Sequence, residues 1–203
     1  IVGLDVVWQK LLTQDLGYTD DEANAFIAGP CFQAWWGMNN LQGWGGKNPA
    51  WWYKRQEALA KKILAREREL GMEPVLPGYA GMVPSDIAKK GYSANNQGNW
   101  CGFLRPYILD PNTEAFAEIS AKYYARLAEV MGTSAYYSMD PFHEGANTSG
   151  IDVASAYKRI GEAMFKANGK AKWVIQFWQW SQAQYNVLSQ VSKGKLIVLD
   201  LFS

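Results

Sequence analysis

The run Tyr136-Tyr137-Ser138-Met139 leads directly into Asp140-Pro141-Phe142-His143-Glu144. An apolar segment of the kind that is buried on both faces thus ends in two carboxylates and the only histidine of the chain. Pro141 cannot donate to a strand ladder, so the strand must stop there. In an α/β barrel, side chains at the C-terminal ends of parallel strands converge on the active site. A carboxyl group among aromatic rings keeps its proton more readily than one in water and can deliver it to a leaving oxygen. Glycosidic-bond cleavage requires such a group, and Glu144 is the candidate. The local residues fit a solvated loop charge or a helix N-terminal charge equally well. His143 has no serine or cysteine in an elbow-type setting to activate. It is expected to bond a substrate hydroxyl or to orient a carboxylate.

The chain holds 10 Trp, 11 Tyr and 8 Phe. Many belong in a core, but Trp35-Trp36, Trp44, Trp51-Trp52, Trp100, Trp178 and Trp180 mostly lie in or beside Gly- and Asn-rich stretches. Indole faces stack on the apolar faces of sugar rings, and neighbouring amides bond the hydroxyls. Trp178 and Trp180 close an apolar run and alternate in direction, so at most one faces a pocket. Asp200 also ends an apolar run and is a possible second carboxylate, although an aspartate there more often bonds backbone amides. Asn147-Thr148-Ser149 has the form of a glycosylation triplet, which arises often by chance. One histidine and two unclustered cysteines give no metal site and suggest no cofactor. Cys31 and Cys101 could form one bridge, but two reduced, partly buried thiols are the better reading.

Positioning these residues requires a sheet. Apolar runs at Met72 to Leu76, Ala135 to Met139, Trp173 to Trp178 and Leu196 to Phe202 lack strand-type alternation, which favours parallel strands covered by helices. Helical patterns separate them. One opens at Asn48-Pro49 and stops at Gly71, one opens at Asp110-Pro111 and stops near Gly132, one is capped by Asp152, and one starts at Ser181. Towards the N-terminus, Trp8, Leu11, Leu12 and Leu16 fit a helix ending at Gly17, and Thr19 to Glu22 has capping-box spacing. Loops are expected at 29–40 and at about 77–106, the latter with a short helix after Pro84-Ser85-Asp86. The order predicts βαβ units with right-handed crossovers. Ile1-Val2-Gly3 reads as the end of a strand. The expected fold is therefore part of a (β/α)8 barrel, truncated at both ends, with residues 1–203 a fragment of one catalytic domain. The alternative is a small doubly wound sheet. Apolar residues make up 48% of the chain and the net charge is +1. Lys and Arg are dispersed, so no nucleic-acid partner is expected. No apolar run reaches the ~18 residues of a membrane span, so no membrane partner is expected either.

Ile27-Ala28-Gly29-Pro30, Ala34-Trp35, Trp44, the run from Gly71 to Pro84 and Leu199-Asp200-Leu201-Phe202 closely resemble the alpha-N-acetylglucosaminidase family, glycoside hydrolase family 89. Ser138 to Glu144 resembles its bacterial members most. The resemblance implies a (β/α)8 catalytic domain with flanking domains, and a retaining exo-glycosidase that removes terminal alpha-linked N-acetylglucosamine from glycans. It implies that Glu144 is the general acid/base, that Trp35, Met38 and Asn40 lie in the aromatic loop over the sugar, and that Trp178 faces the pocket. His143 stands where the lysosomal member has asparagine. The family's nucleophile is a glutamate far downstream, beyond Ser203, and Asp200 does not match it. The expected partners are thus a glycan ending in N-acetylglucosamine and the remainder of a parent catalytic domain. The chain alone should turn over little, and the parent should be secreted or periplasmic. Two alternatives stand beside this: a carbohydrate-binding module without chemistry, and a small complete enzyme using Glu144 with Asp200.

Overall fold

The computed structural model describes residues 2–142, 144–177, 185–186, 188, 191 and 193–201. Helix α1 (Leu4–Lys10) continues into a wider π-helical turn (Leu11–Asp15) and is followed by α2 (Asp20–Phe26). The capping box at Thr19 and Glu22 is formed in both directions. Short α3 (Gln33–Gly37) and long α4 (Ala50–Glu69) precede strand β1 (Val75–Pro77). Next come the small strands β2 (Met82–Val83), β3 (Asn99–Trp100), β4 (Phe103–Leu104) and β5 (Tyr107–Ile108). Helix α5 (Glu114–Met131), β6 (Tyr136–Ser138), α6 (Val153–Ala167), β7 (Lys172–Phe177) and β8 (Leu196–Asp200) complete the order.

Strands β1, β6, β7 and β8 form one parallel sheet in that order. Its register sets Leu76, Tyr137, Trp173 and Leu196 side by side. Helices α5 and α6 make the β1–β6 and β6–β7 crossovers, as expected for barrel units. Among the described residues β1 and β8 each have one partner strand. Both carry exposed apolar side chains, at Val75 and at Val198 and Leu199.

The core is centred on Trp8. Its ring lies 5.1 Å from Phe26, 5.8 Å from Tyr123 and 6.2 Å from both Trp36 and Tyr79. Helix α5 supplies Phe116, Ile119, Tyr123, Leu127 and Val130 to this core at spacings of three and four. Its start is fixed by the Thr113 hydroxyl, which accepts from the Phe116 N–H at 3.3 Å.

Several expectations shift. β1 begins at Val75, not Met72, because Pro74 has no N–H to give a ladder. Asp110-Pro111 makes a turn, with Asp110 accepting from the N–H of Asn112, and the helix opens four residues later at Glu114. The 29–40 stretch contains α3, and 77–106 contains the β3–β4 ribbon, strand β2, which pairs with β5 just beyond it, and a 3-10 turn at Ile87–Lys90. Val2 and Gly3 form a turn into α1, not a strand end. Trp51 and Trp52 sit in the first turn of α4. The helix expected from Ser181 falls largely outside the described residues.

Candidate active site

The site is built on the C-terminal end of β6. The segment after it is pinned at almost every residue. The Met139 carbonyl accepts from the Trp173 indole at 2.9 Å. Asp140 accepts from the Gln176 backbone N–H at 2.7 Å and from the Gln176 side chain at 3.1 Å, tying the ends of β6 and β7 together. The Pro141 carbonyl, whose own nitrogen can donate nothing, accepts from the Tyr157 hydroxyl at 3.1 Å. Asp140 is thus a structural clamp on β7. Phe142 and Glu144 then adopt left-handed backbone, with φ of 58° and 49°. A non-glycine residue there costs on the order of 1–3 kcal/mol, so its neighbours must over-determine it.

Those neighbours come from two distant segments. The half-buried Glu144 presents Oε2 to Asn40, whose Nδ2 donates at 2.7 Å. Asn40 is 1% exposed and Arg105 is 3% exposed. Arg105 donates from Nη1 to the Glu144 carbonyl at 3.1 Å, from Nη2 to Asn40 Oδ1 at 3.3 Å and from Nε to the Asn39 carbonyl at 3.3 Å. Burial pushes the Arg105 guanidinium below its ordinary value, and the Glu144 charge opposes that shift. Guanidinium remains charged in such a setting, so these are charge-assisted bonds, each contributing about 1.5–3 kcal/mol. Asn39 Oδ1 is also buried and lacks a partner among the described residues.

Further along, Gln97 bonds both the N–H of Asn147 at 2.8 Å and its carbonyl at 3.0 Å. Asn95 donates to the Ser149 carbonyl at 2.9 Å. The side chain of Asn147 donates to the Asn96 carbonyl at 3.0 Å, so the glycosylation-like triplet serves as a loop clasp.

The rim is apolar. Trp35 is 41% exposed on α3, Met38 follows it, and the Trp35 carbonyl accepts from the Asn40 N–H at 2.9 Å. One turn therefore presents Trp35 and Met38 outward and buries Asn40. The neck of this loop closes where Gly29 N–H meets the Trp44 carbonyl at 2.7 Å. Exposed Trp44 packs edge-on against Phe103 at 5.0 Å. Trp36 points the other way into the core, and Trp52 donates to buried Asp5, so neither is a sugar platform.

Of the residues expected at the site, Glu144 and Asn40 are joined directly, and Trp35 and Met38 share the turn that holds Asn40. His143 and Trp178 lie outside the described residues. Asp200 is exposed at the end of β8, two strands from β6. Arg105 was not anticipated. It is one cation in the apolar run Phe103 to Leu109, and nothing in that pattern reveals what it reaches. It follows a tight ribbon whose central residues Cys101 and Gly102 have φ of 48° and 86°. Cys31 and Cys101 are free and exposed, not partly buried. Among the described residues no group of acidic, histidine or cysteine side chains could hold a metal ion, and no helix is long and apolar enough to cross a membrane. Two grooves, of about 350 Å³ beside β1 and α4 and about 660 Å³ between α5 and α6, lie away from Glu144.

Residues 1–203 match the alpha-N-acetylglucosaminidase TIM-barrel domain. The chain is 34% identical over 217 aligned positions to an alpha-N-acetylglucosaminidase of Homo sapiens, covering 99% of this chain and 29% of that protein. A family 89 glycoside hydrolase from Clostridium perfringens, solved with 2-acetamido-1,2-dideoxynojirimycin, superposes with a TM-score of 0.94 at 36% identity. All of this chain and 24% of that one are covered. A variant of a clostridial family 89 enzyme with two glutamates changed to glutamine, solved with its substrate GlcNAc-alpha-1,4-galactose, superposes with a TM-score of 0.93. The chain thus spans under a third of these relatives, and its four-stranded parallel sheet with crossover helices is part of their barrel. It belongs to the alpha-N-acetylglucosaminidase family, glycoside hydrolase family 89.

Proposed function

We propose that this chain is the part of a retaining exo-glycosidase that supplies the general acid/base, Glu144, for removing terminal alpha-linked N-acetylglucosamine from glycans. The observation that carries this reading is the Glu144 carboxylate itself. It sits at a strand end of the barrel sheet, half-buried and gripped by Asn40, in a fold shared with enzymes solved on N-acetylglucosamine-like ligands. In this reading Glu144 first gives a proton to the departing glycosidic oxygen. A second carboxylate attacks the anomeric carbon, and Glu144 then takes a proton from the water that releases the sugar.

The second carboxylate comes from outside these residues. Retention requires carboxyl groups ~5–5.5 Å apart. Asp200, exposed at the end of β8 two strands from β6, does not match the family's nucleophile. Trp35, Met38, Asn40, His143 and Trp178 are the substrate-binding residues of this reading, residues 1–203 form one piece of a single barrel domain, and the parent acts outside the cytoplasm.

The test is steady-state kinetics of the full-length protein on an alpha-N-acetylglucosaminyl disaccharide. Glu144→Gln should lower kcat/KM by about 10²–10⁴, the usual contribution of a positioned acid/base. Unchanged turnover would reject the assignment. Binding of N-acetylglucosamine without any hydrolysis by the parent would instead favour a carbohydrate-binding module. Hydrolysis by residues 1–203 alone, lost in Asp200→Asn, would favour the small complete enzyme.

A further inference from the structure

We propose that Arg105 is a positioning residue for Glu144, acting through the polarity of the Asn40 amide; this rests on the acid/base reading above. Three observations support it. Arg105 is buried, and its donors reach backbone or amide oxygens contributed by two segments far apart in sequence. Two of those oxygens are the carbonyls of Asn39 and Glu144, which both have left-handed backbone, with φ of 64° and 49°. One guanidinium therefore holds both unfavourable turns of the site in place. The third acceptor is Asn40 Oδ1.

That third contact removes an ambiguity. An asparagine amide has a donor end and an acceptor end of nearly the same shape. Arginine can only donate, so it requires Oδ1 on its own side. Nδ2 is then committed to Glu144 Oε2 at 2.7 Å. With the amide reversed, N–H would meet N–H at Arg105 and oxygen would meet oxygen at Glu144. Arg105 donates to the Asn39 and Glu144 carbonyls and to Asn40 Oδ1, and not to the Glu144 carboxyl. It fixes the direction from which the carboxyl group is held, and so where its other oxygen points.

A lysine is one point charge and cannot span three oxygens in fixed directions. The test compares kcat/KM of the full-length protein on a disaccharide, whose leaving group needs protonation, and on a dinitrophenyl alpha-N-acetylglucosaminide, whose leaving group does not. Arg105→Lys should lower kcat/KM on the disaccharide by about 10- to 100-fold, part of the contribution of a positioned acid. On the dinitrophenyl substrate the loss should stay below about threefold. Asn40→Ala, which removes the relay and leaves Arg105 in place, should shift the ratio of the two losses the same way, because any sugar contact it removes is common to both substrates, and serves if Arg105→Lys does not fold.

Equal losses on both substrates, in whichever variant folds, would overturn the proposal, because a general structural role damages both alike. Full activity of Arg105→Lys on the disaccharide would also overturn it. Glu144→Gln serves as the reference. If its own loss does not depend on the leaving group, the acid/base reading has failed. If it does and the Arg105 and Asn40 variants show no such dependence, only the positioning inference has failed.

Discussion

Asp5 is the most deeply placed carboxylate of the chain, at 0% exposure, and its removal should loosen the segment that carries Trp35. Its Oδ2 accepts from the Trp52 indole at 2.7 Å and from the Gln33 amide at 3.0 Å, and its Oδ1 accepts from the Val6 N–H at 3.0 Å. It thereby ties α1 to the first turns of α3 and α4. In Asp5→Ala the Val6 N–H keeps the Gly3 carbonyl at 3.1 Å, so two donors lose their partner. Each buried unpaired donor costs about 1–3 kcal/mol. Gln33 is only partly buried and can turn towards water, so the sum should fall near 2–4 kcal/mol. Asp5→Asn keeps one acceptor oxygen and should cost roughly half as much.

Hydrogen exchange read by mass spectrometry on the full-length protein suits this change, because it reports local opening without global unfolding. Peptides covering Leu4–Lys10 and Gln33–Gly37 should exchange about 30- to 700-fold faster in Asp5→Ala, at tenfold per 1.4 kcal/mol. Peptides from α6 should be unaffected. Protection of both segments within twofold of the wild type would refute the reasoning, and so would Asp5→Asn opening them more than Asp5→Ala.

A Cβ at Gly29 would run into the Gly45 carbonyl, backbone that cannot swing aside. Gly29→Ala should therefore cost about 1–3 kcal/mol, read as a lower Tm, and should raise KM by spreading the neck of the Trp35 loop. Hydrogen bonds from Lys10 to Glu129, from Lys61 to Glu57, from Lys122 to Glu118 and from the Ala135 N–H to Glu73 hold these carboxyls below the usual glutamate range. Each contribution is present above the unfolded value of about 4.3 and is lost as pH falls through the lower folded value. Thermal unfolding across a pH series should therefore show Tm dropping on acidification below about pH 4.3, and a flat Tm through that range would contradict these pairings. Cys31 and Cys101, free and exposed, should both react with a thiol reagent in the folded protein. Resistance of either until denaturant is added would contradict their placement.

Much of this arrangement could be read from residue order. The stop at Pro141 is a covalent property, so the end of β6 and the position of Glu144 followed from it. Capping by Thr19 and Asp152 is local and formed as expected. What remained hidden depends on direction and distance. Trp35 and Trp36 look alike in sequence, but consecutive helical positions point about 100° apart. One ring therefore faces out while the other packs against Trp8. The ribbon turn at Cys101-Gly102 lacks the usual Asn-Gly signature. Arg105 gains its meaning only from partners 39 and 65 residues away. Asp140 and Glu144 are both acids in one short segment, yet the first is spent on Gln176, which no spacing rule would distinguish.

Azide rescue of Glu144→Ala in the full-length protein tests the central claim most directly. Azide attacks a glycosyl intermediate without needing a base, and a dinitrophenyl leaving group departs without needing an acid. With 2,4-dinitrophenyl alpha-N-acetylglucosaminide, azide should restore turnover and yield the alpha-configured glycosyl azide. That outcome follows from loss of the acid/base with the nucleophile intact. No rescue, or a beta-configured azide, would contradict Glu144 as the acid/base.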